Sequence, residues 1–367
     1  MLFSLKTLFS LMITLLIFGT VFITLVSYVF KNRSLSLTHT HTHTHTHTHT
    51  HTHTHTHTHP KTLTLDESLI EKILARYSQT WKKQQENSTK FRALLRSTCH
   101  GFTKAIVSQN NTLVGAKIVY DGEKIKPLDV TSAIFHTFAK RNPFSNKTWD
   151  TCSVVGNGGI LLNSTCGEMI DSAQFVIRCN LPPLDNGFLK DVGNKTDLVT
   201  ANPSILVEKF QGLQERRRPF MESMRHYNDA LMLLPAFSYS RNLPLSLRAL
   251  YTIEDFKSPI RPVFFNPEYI QSLARFWSSK GLRSMRLSTG FMVASLALEL
   301  CTNVHLYGFW PFDQHPHFHQ PLNNHYYDNR QSKKMVHAMP AEFDHLLRLH
   351  EQGVLKIHLG ECRSSSR

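Results

Sequence analysis

The sequence predicts an α/β fold: a mostly parallel sheet with helices on both faces, in a single domain. Three observations predict it. Short apolar runs recur along the chain from about Cys99 onward, as strands buried on both faces require. Helical patterns separate several of these runs. No linker divides the region. Strands that alternate with helices argue for a parallel sheet, because each crossover carries a helix back over one face.

The strands are expected at Ser153–Val155, Phe175–Ile177, Leu198–Thr200, Ala230–Leu234, Val263–Phe265, Val304–Tyr307 and Leu355–His358, with helices at Pro267–Ser279 and Phe291–Cys301. Upstream, Asp66 to about Arg96 is polar with apolar residues at helical spacing (Leu69, Ile73, Leu74, Tyr77, Trp81) and reads as a stem or a first helix. Thr38 to His59 is a strict Thr-His alternation, a low-complexity tract that cannot build a packed core. Slippage in a CA dinucleotide repeat is its simplest origin. Neutral imidazole is a good metal ligand, but the tract shows no ordered second shell and reads as a spacer.

Thr7 to Phe30 contains no charged residue over 24 positions. At ~1.5 Å per residue it spans a ~30 Å hydrocarbon core. A cleavable signal has a shorter apolar region of ~7–15 residues and a small-residue cleavage site, whereas Leu25 to Phe30 stays bulky. The segment is expected to be an uncleaved signal-anchor helix. Lys6 on one side and Lys31 and Arg33 on the other nearly balance the positive-inside rule. Glycosylation sequons beginning at Asn87, Asn110, Asn146, Asn163 and Asn194, and all six cysteines, follow the helix and place that side in an oxidising lumen. The expected division is a cytoplasmic tail 1–6, a membrane helix 7–30, a lumenal stem 31–98 and a catalytic domain 99–367. The net charge of +14 fits anionic ligands, an anionic membrane surface or a generally basic surface. No Lys/Arg-rich motif with interleaved aromatics points to nucleic acid.

Three segments carry candidate chemistry. Cys152-Ser-Val-Val-Gly156-Asn157-Gly158-Gly159 reads as a strand entering a glycine-rich turn, either a plain tight turn or a backbone cradle for a phosphate or nucleotide. Ser288 or Thr289, before Gly290, is a good N-cap for the apolar helix that follows; the turn either caps a core helix or faces an anion. His325-Tyr-Tyr-Asp328 and His337-Ala-Met-Pro-Ala-Glu342 lie near the aromatic run Gly308-Phe-Trp310-Pro-Phe312 at a strand end. His315, His317 and His319 alternate like a metal site but read as exposed loop residues.

Together these segments resemble the animal sialyltransferase family, glycosyltransferase family 29. Cys152–Ser204, with Cys166-Gly-Glu-Met-Ile-Asp171 and Arg178-Cys-Asn180-Leu-Pro-Pro, is similar to its large motif, Leu287–Phe312 to the small motif, His325-Tyr-Tyr-Asp328 to motif III and His337 to Glu342 to the very-small motif. Tyr-Gly-Phe-Trp-Pro-Phe and His-Tyr-Tyr-Asp-Asn are similar to the α-2,8-sialyltransferases. Leu181-Pro-Pro, Thr200-Ala-Asn202-Pro-Ser and His337-Ala-Met-Pro resemble the mono- and oligosialylating types I, V and VI.

The resemblance implies a GT-A-like variant of the α/β fold and a Golgi type II membrane enzyme. It implies inverting transfer of sialic acid from CMP-sialic acid to the terminal sialic acid of a glycoprotein or ganglioside glycan. It implies His337 as general base, His325 with Ser288, Thr289 and Gly290 toward the leaving phosphate, and Asn157, Asn180, Asn202 and Trp310 toward the donor. No Asp-x-Asp pair occurs in the chain, and no metal or other cofactor is expected. Cys152 is implied to pair with Cys301 and Cys166 with Cys362, each closing a long loop for ~4–5 kcal/mol. Cys179 is left as a buried thiol. Cys99 is left free or paired between chains, and a homodimer stands among the expected partners. The Asn194 sequon falls inside the large motif, where burial is expected to block its glycosylation.

Overall fold

The computed structural model describes residues 65–145, 147–185, 187–318, 320–329 and 338–362. The expected membrane helix at 7–30, the Thr-His tract at 38–59, Asn146, His319 and His337 lie outside them. Among the described residues no helix is long and apolar enough to cross a membrane.

One compact unit begins at Leu63. Its core is an eight-stranded sheet: β1 (Ile106–Val107), β2 (Trp149–Val155), β3 (Phe175–Arg178), β4 (Leu198–Thr200), β5 (Leu231–Leu234), β6 (Arg261–Phe265), β7 (Cys301–Tyr307) and β8 (Lys356–His358). The spatial order is β1-β6-β5-β4-β3-β2-β7-β8. Every neighbouring pair is parallel except the edge strand β1, which runs antiparallel to β6. All seven expected strands are present. The two-residue β1 escaped the sequence because it is too short to show a pattern.

Successive strand residues point to opposite faces, and both faces are covered. Val154, Ile177, Leu198, Leu233 and Leu306 join one buried cluster, and Val155, Val176, Val199, Leu234 and Tyr307 the other. The helices α1 (Leu65–Tyr77), α2 (Gln85–Cys99), α4 (Pro267–Ser279), α5 (Thr289–Leu300) and α6 (Met339–Glu351) pack on the first face, and α3 (Asn242–Asp255) on the second.

Helices α1 and α2 settle the segment that reads as stem or first helix. Ile70, Ile73 and Leu95 are buried in the core, and the Trp81 indole N–H donates to the Leu355 carbonyl at 3.0 Å. The packed unit therefore takes in chain that a boundary at residue 99 assigns to the stem. The physical reason is that an amphipathic helix beside an apolar sheet face buries its stripe there. Two disulfides, Cys152–Cys301 and Cys166–Cys362, have the pairing the resemblance implies. Cys99 and Cys179 are buried free thiols, which rules out Cys99 as an accessible link between chains.

A histidine cluster closes the β7–β8 edge. His305 Nδ1 and His358 Nε2 lie 3.0 Å apart and share one hydrogen, so both rings cannot be charged. His358 stacks on Tyr307 at 4.3 Å, and His350 accepts the Ile357 N–H at 3.1 Å while stacking on Tyr77. Burial pushes His305 and His350 down to about 4 and His358 to about 3, with Lys356 adding to the effect.

Each folded value lies below the unfolded ~6.5, so the unfolded chain binds these protons first. Their contribution to stability is full above pH 6.5 and is lost as pH falls toward 4. Glu299 opposes them: burial raises it to about 7, so it takes up a proton in the folded state first. Comparing His358→Gln with the parent isolates one imidazole. Between pH 6.5 and 4 the stability gap should shrink by ~1.4 kcal/mol per pH unit in urea titrations. A gap independent of pH refutes the assignment.

Candidate active site

The strand order reverses between β2 and β7, so their C-terminal ends frame the crevice where open α/β sheets take ligands. Gly156 donates its N–H to the Tyr307 carbonyl at 2.8 Å and Gly158 to the Gly308 carbonyl at 3.1 Å. A Cβ on Gly158 would sit 2.6 Å from the Gly308 oxygen, and Gly308 itself has φ 71°. Backbone packed on backbone is what requires these glycines. Asn157, between them, accepts the Tyr326 N–H at 3.0 Å and donates from Nδ2 to the Cys179 carbonyl at 2.8 Å. Its Oδ1 is buried with no hydrogen-bond partner among the described residues.

Three further expected residues form one chain of bonds. Asn180 follows β3 with φ 62°, a conformation Asn tolerates better than most residues. Its Oδ1 accepts the Asn202 N–H at 3.0 Å, and the Asn202 Oδ1 accepts the Thr289 hydroxyl at 3.1 Å. The ends of β3 and β4 are thereby tied to the start of α5. Ser288 caps α5, its hydroxyl accepting the Phe291 N–H at 3.2 Å. Its own N–H goes to Glu342 Oε1 at 2.7 Å. Gly290 sits against Phe309, where a Cβ would approach the ring to 3.2 Å.

His325 is held on its Nδ1 side by Asp328 Oδ2 at 2.7 Å and stacks on Tyr327 at 5.1 Å. The Tyr327 hydroxyl also receives Asn157 Nδ2 at 3.5 Å, which brings motif III to the glycine turn. Tyr326 donates to the Pro183 carbonyl at 2.6 Å and fixes the same loop from below. Trp310 lies just past the end of β7. It is buried against Phe312 and Phe343, and its indole N–H is committed to the Gln314 carbonyl at 2.7 Å.

Sequence reasoning missed three parts. Glu342 was read only as a motif letter, yet it fixes the α5 cap. Asp328 orients a histidine. Arg178, fully buried, reaches Asp171 at 3.3 Å and the carbonyls of Val192 and Lys195, bracing the loop between β3 and β4. A buried arginine is visible only in three dimensions, whereas the His-x-x-Asp spacing of motif III was a signal already in the sequence. The burial expected to block Asn194 is absent: Asn194 is exposed, as are Asn87, Asn110 and Asn163. Its turn stands outside the sheet, with Gly193 at φ 66°. Among the described residues no three His, Cys, Asp or Glu side chains gather as a metal-binding set.

A crevice at a topological switch point, lined by amides, hydroxyls and a carboxylate-held histidine, is the arrangement of an α/β enzyme acting on a polar ligand. Residues 106–354 match the family described as glycosyltransferase family 29 (sialyltransferase), and the chain belongs to that family and is a glycosyltransferase. Mouse alpha-2,8-sialyltransferase 8F is 46% identical over 285 residues, covering 78% of this chain and 71% of the relative. Human alpha-2,8-sialyltransferase 8E is 42% identical over 282 residues, 77% and 75% of the two chains. The alpha-N-acetylneuraminide alpha-2,8-sialyltransferase of Xenopus laevis is 42% identical over 297 residues, 81% and 82%. The α-2,8 group that the motifs resemble is thus the group these relatives carry in their names. A crystal structure of a mammalian sialyltransferase aligns over 74% of this chain and 95% of its own, at 19% identity and a TM-score of 0.48.

Two substitutions test this framework. Gly158→Ala forces a methyl against a backbone oxygen and should lower stability by about 1–3 kcal/mol in denaturant titrations. Glu342→Ala strands the Ser288 N–H and should cost about as much, while Glu342→Gln keeps an acceptor and most of the stability. Wild-type midpoints in both Gly158→Ala and Glu342→Ala would refute the close-packed framework.

Proposed function

We propose that this chain is an α-2,8-sialyltransferase that moves sialic acid from CMP-sialic acid to the terminal sialic acid of a glycoprotein or ganglioside glycan. The observation that carries the reading is the bonded set Asn180–Asn202–Thr289, with Asn157 and the Asp328-held His325 beside it, at the sheet's switch point. The names of relatives at 42–46% identity support the linkage.

The reaction is an inverting displacement. The acceptor hydroxyl oxygen forms a bond to the anomeric carbon of the donor sugar as the carbon–oxygen bond to phosphate breaks. The bonding pair leaves with CMP. The hydroxyl proton goes to a base whose pKa should lie near the working pH, and His337 is that base. Glu342, five residues on, is fastened to Ser288, which supports bringing the start of α6 to the N-terminal end of α5. His325 and the α5 N-terminus with Thr289 and Gly290 face the phosphate, where charge develops. Ser288 spends its hydroxyl on the cap, so it acts by holding that turn. Asn157 and Asn202 hold the donor through their amides.

CMP leaves as a phosphate monoester anion that needs little protonation, and the chain lacks an Asp-x-Asp pair, so the reading includes no metal. The chain sits in the Golgi membrane as a type II protein with the catalytic unit in the lumen.

Full-length enzyme should transfer labelled sialic acid from CMP-sialic acid to a sialylated glycoprotein or ganglioside. His337→Ala should lower kcat by about 10²–10⁴, and chelation by EDTA should leave the rate unchanged. Full activity of His337→Ala removes the base assignment, and loss of activity in EDTA removes the metal-free reading.

A further inference from the structure

The chain leaves β3 through two consecutive residues in the left-handed region, Asn180 at φ 62° and Leu181 at φ 47°. Asparagine visits that region readily. A bulky side chain such as leucine stays there only when its surroundings hold it. Leu181 is buried, and the Pro182 and Pro183 carbonyls beyond it accept the Tyr227 and Tyr326 hydroxyls.

The backbone N–H groups of both left-handed residues end on one partner. Asn180 donates to the Thr200 hydroxyl at 2.8 Å, and Leu181 donates to the Thr200 carbonyl at 3.0 Å. Thr200 is the last residue of β4, in register with Leu233 of β5. Its neighbours Leu198, Val199 and Ala201 are apolar and fully buried, as a strand covered on both faces requires. Thr200 is 2% exposed in the same setting. Valine would match its branched shape, so the hydroxyl alone sets it apart. A buried hydroxyl is costly unless it is bonded, and this one is bonded to the residue that begins the crevice chain.

From there the connection is short. Asn180 Oδ1 accepts the Asn202 N–H, and Asn202 Oδ1 accepts the Thr289 hydroxyl. Thr200 therefore grips Asn180 by its backbone, while Asn202, two residues on, grips it by its side chain. Without the hydroxyl, the N–H of the half-buried Asn180 is stranded and its left-handed φ loses a restraint.

We propose that the Thr200 hydroxyl is a positioning group for the donor subsite, holding Asn180 in the conformation that aligns Asn202 and Thr289. The inference rests on the sialyltransferase reading, in which Asn202 and Thr289 face CMP-sialic acid. Thr200 touches no reacting atom and acts through Asn180.

Steady-state kinetics of the full-length enzyme in detergent test it. CMP-sialic acid is varied at saturating sialylated acceptor, and then the reverse. Thr200→Val keeps the shape and removes the hydroxyl. It should raise KM for CMP-sialic acid about tenfold, equivalent to ~1.4 kcal/mol, and leave KM for the acceptor unchanged. Thr200→Ser should restore the donor KM. Thr252→Val removes another buried hydroxyl, one on α3 that accepts Arg217 Nε at 3.0 Å. It should leave both KM values unchanged, which separates positioning from a general loss of stability. Should Thr200→Val not fold, Thr200→Cys carries the same test, because its sulfur is a weak acceptor: it should raise the donor KM where Thr200→Ser does not. Wild-type donor KM in Thr200→Val overturns the proposal, as does an equal rise in both KM values or a serine variant that restores nothing. Wild-type enzyme that transfers no sialic acid from CMP-sialic acid overturns the sialyltransferase reading instead.

Discussion

Gly158 N–H meets the Gly308 carbonyl across the one place where the strand order reverses. Two loops that leave neighbouring parallel strands normally diverge, one to each side of the sheet. Here they are held at backbone contact distance, and a single added methyl would collide with a carbonyl oxygen at 2.6 Å. The rest of the crevice is referenced to this contact. Asn157 is presented between the glycines, motif III is hung from Asn157 through Tyr326 and Tyr327, and His325 follows from Tyr327. The Cys152–Cys301 bridge ties the same two strands in covalent terms.

The other fixed body is α5, in which every residue from Phe291 to Leu300 is buried. Buried helix ends need partners for their unpaired groups: a carboxylate takes an N–H at the start, and Arg92 and Arg96 donate to the carbonyls of Leu298 and Glu299 at the end. Glu342 accepts the Ser288 N–H at the start. At the end, Glu299 accepts the Gly101 N–H at 2.6 Å and the Tyr269 hydroxyl at 2.8 Å, with Arg96 donating to its backbone carbonyl. Burial at this end raises Glu299 to about 7. The catalytic role proposed for the α5 N-terminus depends on this clamping, because a fraying helix end would not aim at a phosphate.

Much of the fold was legible because its signals are local. A run such as Leu231–Leu234, buried on both sides, reads as a strand from residue type alone. Helix α4 was legible from its pattern at Pro267–Ser279, and in the structure Asn266 caps it by accepting the Glu268 N–H, with Pro267 in the first turn. The candidate site was legible in another way, as motif letters whose roles came from resemblance. What stayed hidden was the function of residues that act across the fold. Trp310 read as a donor-side aromatic, and only the fold shows its indole N–H committed to the Gln314 carbonyl. Asn194 read as buried and is exposed. Arg178 and Glu342 read as letters and are buried struts.

By itself the sequence determined the α/β class, the strand positions, the caps and the residue types available for chemistry. Each of these depends on periodicity or on neighbours within a few positions. Only the tertiary structure decided that α1 and α2 belong to the packed unit, that Asn180, Asn202 and Thr289 form one bonded chain, and that Thr200 holds both Asn180 and Leu181. Those partners are separated by tens to hundreds of residues. The sheet order that joins them is chosen by the packing of the whole chain, which no local pattern encodes.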